Sequence, residues 1–278
     1  MEINKKIIKL LCNLREKNPL VHQITNYVTI NDCANITLAI GGSPVMAEDI
    51  HEVREMVSLA SSLVINIGTL NSVIIESMIE AGKMANELNI PVILDPVGVG
   101  ATTYRTETCK RIINEVKLAV IRGNLSEIKT IYGIKTTTRG VDASESFSVD
   151  SDEFTSEKEM ARDFAIKFNT VVVITGAVDI ISDGKTLYCA SNGHQIMSRV
   201  TGTGCMCTSV IGCYLGAGDN DLIAALAGIV SMGIAGETAY ESLDKNSEGS
   251  GTFKVKMLDA IYNLSEDLIM ERSKINEE

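Results

Sequence analysis

Short runs of β-branched residues alternate along this chain with longer stretches whose apolar positions recur every three or four residues. Alternation of this kind predicts βαβ units wound around a mainly parallel sheet, an α/β fold. The runs 63–67, 91–94, 118–121, 171–175, 179–182 and 186–190 read as strands, and 196–200 as a further strand end. Two shorter runs, 20–24 and 44–46, read as edge strands. Helical spacing fills 31–39, 71–88, 105–116, 155–168, 205–215 and 221–242, and the opening MEINKKIIKLLCNLREKNP reads as an amphipathic helix. Asp183-Gly184-Lys185 lies between two apolar runs and predicts a hairpin, which makes the sheet mixed at one edge. The polar end, Glu271 to Glu278, reads as a frayed tail. Neither a linker nor an internal repeat interrupts the pattern, so residues 1–278 are expected to form a single domain.

Composition narrows this picture. The chain is 45% hydrophobic with no Trp, so its core must be built from Ile, Val, Leu, Ala and Met, which suits buried parallel strands. A formal net charge of -11, concentrated between Asp142 and Glu159, repels nucleic acid. No run of about 18 apolar residues reads as a membrane span, and the opening helix lacks a secretory core, which predicts no membrane partner and a cytoplasmic location. Seven scattered cysteines are an odd number and suit a reducing cytosol; Cys205-Met206-Cys207 lacks the second pair that a zinc site needs, so packing is expected of it.

Candidate chemistry follows the strand ends. Gly68-Thr69, Asp95 through Gly100, Arg122-Gly123-Asn124, Thr175-Gly176 and Thr201-Gly202-Thr203-Gly204 each come after a predicted strand. In an open parallel sheet, ligands sit beyond the carboxyl ends of the strands, so these segments are expected to converge. Gly202-Thr203-Gly204 runs into a helix, which would aim backbone N–H groups at an anion. Asn124 and Glu127 sit three residues apart at a helix start; they serve either as a capping box or, with Asp95 nearby and directly or through water, as the groups orienting Mg²⁺. No G-x-x-x-x-G-K-[ST] motif occurs, and the dinucleotide pattern begun by Gly98-Val99-Gly100 fails at Thr103, which demotes a nicotinamide site.

Taken in order, PLVHQITN from Pro19, SPVMA from Ser43, NIGTL from Asn66, Pro91 through Ala101, Arg122-Gly123-Asn124, Arg139 through Asp142, Thr175-Gly176 and Gly202 through Cys205 resemble the hydroxyethylthiazole kinase family. The likeness runs from about residue 19 to residue 253. It implies a ribokinase-like three-layer αβα sandwich and phosphorylation of hydroxyethylthiazole by ATP with Mg²⁺, a step of thiamine salvage and biosynthesis. The resemblance assigns Cys205, with Gly202 and Gly204, to catalysis. Met46, Asn26, Thr25 and Gly202 would contact the thiazole alcohol, and Arg122, Thr175, Asn124 and Gly176 the nucleotide. Asp95 and Glu127 would serve the metal, and a homotrimer with active sites between subunits is implied. From physics alone, a helix N-terminus should lower the pKa of Cys205 and favour its thiolate. Gln23 stands where the family has Asn and is expected to reshape the thiazole pocket; Thr203 replaces an Ala but leaves both glycines. A sibling kinase for another vitamin precursor or sugar, and a nucleotide sensor without turnover, remain rivals.

Overall fold

The computed structural model describes residues 2–134 and 151–278. The family-like stretch from Arg139 to Asp142 and the first half of the acidic run, 142–150, lie outside the described residues. In chain order the elements are α1 (Glu2–Lys17), β1 (Leu20–Ile24), α2 (Ile30–Ile40), β2 (Ser43–Val45), α3 (Val53–Leu59), β3 (Ser62–Asn66) and α4 (Ser72–Glu87). Next come β4 (Val92–Asp95), α5 (Thr103–Glu115), β5 (Val120–Asn124), α6 (Leu125–Tyr132), α7 (Ser151–Phe168), β6 (Val171–Thr175), β7 (Asp179–Ser182) and β8 (Leu187–Ala190). A 3-10 turn (Gln195–Arg199) then leads into α8 (Thr203–Ala217), α9 (Asp221–Glu241), α10 (Ser250–Tyr262), α11 (Glu266–Arg272) and β9 (Ile275–Glu277).

The strands form one sheet in the order β2-β1-β3-β4-β5-β6-β7-β8-β9. Pairs from β2 through β6 are parallel, and β7, β8 and β9 add antiparallel pairs at one edge. Successive residues of each strand face opposite sides. Val64, Ile93 and Val120 therefore join a core with α1, α2, α8, α9 and α10. Leu63, Leu94 and Ile121 join a second core with α3 to α7. Helices cover both faces, which explains why the strands are nearly continuous apolar runs rather than alternating ones.

The predicted hairpin is present: Asp183 Oδ1 accepts from the N–H groups of Lys185 at 2.8 Å and Thr186 at 2.7 Å. Four expectations need correction. The run 20–24 is no edge strand, because β1 pairs with β2 on one side and with β3 on the other. The run 196–200 is a 3-10 turn rather than a strand, because β8 has already ended at Ala190 and the chain must cross to reach α8. Strand β5 lies two residues later than expected, since Arg122, Gly123 and Asn124 pair with Val173, Ile174 and Thr175 of β6. The polar tail is no frayed end: Tyr188 pairs with Glu277 and Ala190 with Ile275, and Arg162 donates to the Glu278 carbonyl at 2.9 Å.

Helix α9 is long and apolar enough to cross a bilayer, yet 89% of its most apolar window is buried. Its surface is spent against α8, α10 and α1. A Cβ added to Gly228 would meet Ile211 Cγ1 at 2.4 Å, so the α8–α9 crossing depends on a missing side chain.

Candidate active site

Parallel strands ending at one rim bring together residues that are far apart in sequence. Asn66 and Asp95 are the last residues of β3 and β4 and stand side by side in the register. Both are 1% exposed. Asp95 Oδ2 accepts from Asn66 Nδ2 and from Thr208 Oγ1 of α8, each at 2.8 Å. Its second oxygen, Oδ1, has no hydrogen-bond partner and lies 3.9 Å from Nη1 of Arg122. Burial pushes the Asp95 carboxyl above the usual range, against the pull of Arg122, Thr208 and Asn66.

Arg122 comes from β5, and its Nη2 donates to Thr175 Oγ1 on β6 at 3.2 Å. The guanidinium occupies the space a side chain at residue 204 would need: a Cβ on Gly204 would stand 2.8 Å from Nη1. Gly202 is the N-cap of α8 with φ +86, and a Cβ there would stand 2.6 Å from Thr29 Cγ2. Both glycines are thus required by their surroundings, one by a charged neighbour and the other by a left-handed backbone. The first amides of α8, at Thr203, Gly204 and Cys205, have no intrahelical acceptor by the geometry of any α-helix, and they share the rim with Arg122.

Cys205 is the third residue of α8 and is buried. Its sulfur accepts from Asn26 Nδ2 and Asn66 Nδ2, each at 3.3 Å. The expected thiolate is not favoured: burial and the neighbouring Asp95 raise the thiol pKa, and they outweigh the hydrogen bonds from Thr29, Asn26 and Asn66. Desolvation therefore overrides the helix dipole here.

Glu127 and Asn124 form the capping box that their spacing allowed. The Asn124 side chain accepts from the Glu127 N–H at 2.9 Å, and Glu127 Oε2 accepts from the Asn124 N–H at 2.8 Å. Glu127 Oε1 also takes the Gly98 N–H at 2.8 Å, which ties the loop after β4 to α6. Burial and the nearby Asp95 push the Glu127 carboxyl up to about 7.

The remaining expectations fare unevenly. Asn26 joins the cluster, but Thr25 is turned towards the Cys33 thiol. Met46 follows β2, beside the carboxyl end of β1, and is half-buried. Next to it, the Ala47 carbonyl lies 2.7 Å from His22 Nε2. Gly176 is exposed, and its N–H is bound by Asp179 Oδ1 at 3.0 Å. Gln23 does not line the rim: its amide is bound at both ends by Thr37 and Ser209 beneath α2 and α8, each at 2.8 Å, so it does not shape a pocket there. Cys207 is buried in the core that α8 shares with α9.

Sequence reasoning missed Asn66, Thr208 and Arg105. The last donates to the carbonyls of Ile67, Val97 and Gly68 at 2.6, 2.9 and 2.8 Å and so staples the loops after β3 and β4. Thr208 stands three residues beyond Cys205 on the same helix, a spacing that places both on one face.

A mostly parallel nine-stranded sheet covered by helices on both faces, with a helix start, a buried Asp and an Arg meeting at its carboxyl rim, has the ribokinase-like three-layer αβα fold. A pyridoxal kinase from Staphylococcus aureus, in complex with AMP-PCP and pyridoxal, shares this fold with TM-score 0.61 and 13% identity, covering 93% of this chain and 97% of that one. Within that fold class the chain belongs to the hydroxyethylthiazole kinase family, whose profile matches residues 11–267. It is 56% identical to a hydroxyethylthiazole kinase of Alkaliphilus oremlandii over 277 residues, 100% of each chain, and 55% identical to one of Clostridium tetani over 275 residues, 99% of each. The structure of a hydroxyethylthiazole kinase from Pyrococcus horikoshii OT3 superposes with TM-score 0.88 at 40% identity, covering 99% of both chains.

Proposed function

We propose that this chain transfers the terminal phosphoryl group of ATP to the hydroxyethyl arm of hydroxyethylthiazole, the step that recovers the thiazole half of thiamine. The observation that carries the reading is the meeting of Cys205, Asp95 and Arg122 at the amino end of α8. A triphosphate lies there against the first amides of the helix, whose dipole and the Arg122 guanidinium draw its charge. Thr175 steadies Arg122 from β6. The alcohol oxygen attacks the terminal phosphorus, the bond to the leaving ADP oxygen breaks, and the hydroxyl proton passes to Cys205 in that fraction of molecules where its sulfur is thiolate, or otherwise to water. Because burial keeps this thiol protonated near neutrality, alignment and charge stabilisation supply most of the rate and the base adds to it as pH rises.

Asp95 Oδ1, buried with no hydrogen bond although 3.9 Å from Arg122 Nη1, has the chemistry of a ligand for a hard cation. Asp95 directly, and Glu127 through water, would hold Mg²⁺, which would neutralise charge on the phosphates. Asn26 and Met46 are assigned to the thiazole, on the side of β1 and β2. Asn124, the last residue of β5, and Gly176, just after β6, are assigned to the nucleotide.

The same reading includes a homotrimer whose partner covers the rim. Tyr27 and Val28, next to Asn26, are 78% and 59% exposed and offer an apolar surface for it; light scattering of the purified protein measures the mass. Free thiols throughout suit the reducing cytoplasm. ATP turnover with hydroxyethylthiazole, with and without Mg²⁺, is the deciding experiment: Mg²⁺-dependent ADP release supports the assignment, and no ADP above the rate without the alcohol overturns it.

A further inference from the structure

Asn66 is bound on every side. Its Oδ1 accepts from the Gly68 N–H at 2.8 Å and from Asn26 Nδ2 at 3.0 Å. A backbone N–H can only donate, so the atom facing Gly68 must be the amide oxygen, and the NH₂ end must turn the other way. There it donates to Asp95 Oδ2 at 2.8 Å and to Cys205 Sγ at 3.3 Å. Asn26 is locked by the same logic, because its Oδ1 accepts from the Thr29 N–H at 3.1 Å, leaving its NH₂ for Asn66 and Cys205. Space is reserved for the arrangement as well: a Cβ on Gly68 would stand 2.9 Å from Asn26 Cβ and from Asn66 Oδ1.

We propose that Asn66 is a positioning residue that holds the Cys205 thiol and the Asp95 carboxylate in one frame. The inference rests on the kinase reading for what those two groups do, and on geometry alone for the link between them. One amide supplies a hydrogen to each, from a strand end that is fully buried and has its carbonyl pinned to the backbone. Occupying Oδ2 of Asp95 together with Thr208 leaves Oδ1 to face Arg122 and the phosphate side. Donating to sulfur fixes where the proton acceptor sits relative to that oxygen.

The test compares Asn66→Leu and Asn66→Asp with the unaltered protein, each at a temperature where melting curves show it folded. Leu keeps the volume and removes every hydrogen bond. Asp keeps the acceptor for Gly68 and Asn26 but sets a second buried carboxyl against Asp95, where the pair shares one proton and no hydrogen is left for Cys205. The expected result is a loss in kcat of about tenfold to a hundredfold in both variants, with KM for ATP and for the alcohol within about threefold. In a Cys205→Ala background, Asn66→Leu should cost at least threefold less, since the two residues act partly as a unit. Equal costs in the two backgrounds, a parent-like Asn66→Asp, or a change confined to KM would each overturn the proposal. A second readout needs no turnover: iodoacetamide labelling of Cys205, followed by peptide mass spectrometry at fixed pH, should slow at least threefold in Asn66→Leu. Unchanged labelling overturns the link to sulfur, whereas a parent protein that phosphorylates no thiazole alcohol overturns the functional reading and leaves this measurement standing.

Discussion

Cys205 occupies the third position of a helix and yet behaves against the rule for such positions, because its burial costs a thiolate more than the dipole returns. The thiol pKa is raised, so the thiolate fraction, and with it any help as a base, grows as pH climbs through and beyond the ordinary thiol range. Turnover of the parent protein is therefore expected to rise with pH up to the limit of stability, and the Cys205→Asp variant to retain substantial activity with a flatter profile. Steady-state rates across pH check both; Asp far slower than Ala would remove Cys205 as base. The neighbouring glycines are constrained differently. Gly204→Val drives a branched side chain into the Arg122 guanidinium, and Gly202→Val adds a clash with Thr29 to a left-handed backbone. Both are expected to abolish measurable turnover, and normal rates in both would place the phosphate cradle elsewhere.

At the scale of elements, the pairing of α8 with α9 depends on Gly228, where a methyl group would meet Ile211. Gly228→Ala is expected to cost about 1–3 kcal/mol by overpacking, despite the better helix propensity of Ala, and urea denaturation measures it. Element periodicity was legible in the letters: β1, β6 and β7 fall at the residues predicted, and α4 and α9 within a residue or two, because long apolar runs declare their own period. The 3-10 turn was not, since Ile196 and Val200 are β-branched in a segment whose shape is set by Gly233 and Gly236 packing closely on Asn192 and Met197. Nor was β9, whose polar residues pair only because β8 presents an edge. Within the site, Cys205, Arg122 and the glycines could be picked out by their place after apolar runs. Asn66 stood in the family-like NIGTL run without a role, and Arg105 in no motif, for their roles arise from register and from a fork reaching three carbonyls.

Across the whole molecule the chain end closes the sheet. Deleting residues 273–278 removes β9 and uncovers the β8 edge, and it takes away the carbonyl that Arg162 binds. The shortened protein is expected to unfold at lower urea and to self-associate through that edge, which size-exclusion chromatography reads directly. A different consequence follows from the rim where β1, β3, β4 and β5 end together. Because its working groups are contributed by residues as distant as Asn26 and Cys205, no partial collapse of the chain contains a working fragment of it. During refolding from denaturant, helical circular dichroism should recover first and phosphoryl transfer last, so that the delay between the two signals times the arrival of α8 on the finished strands.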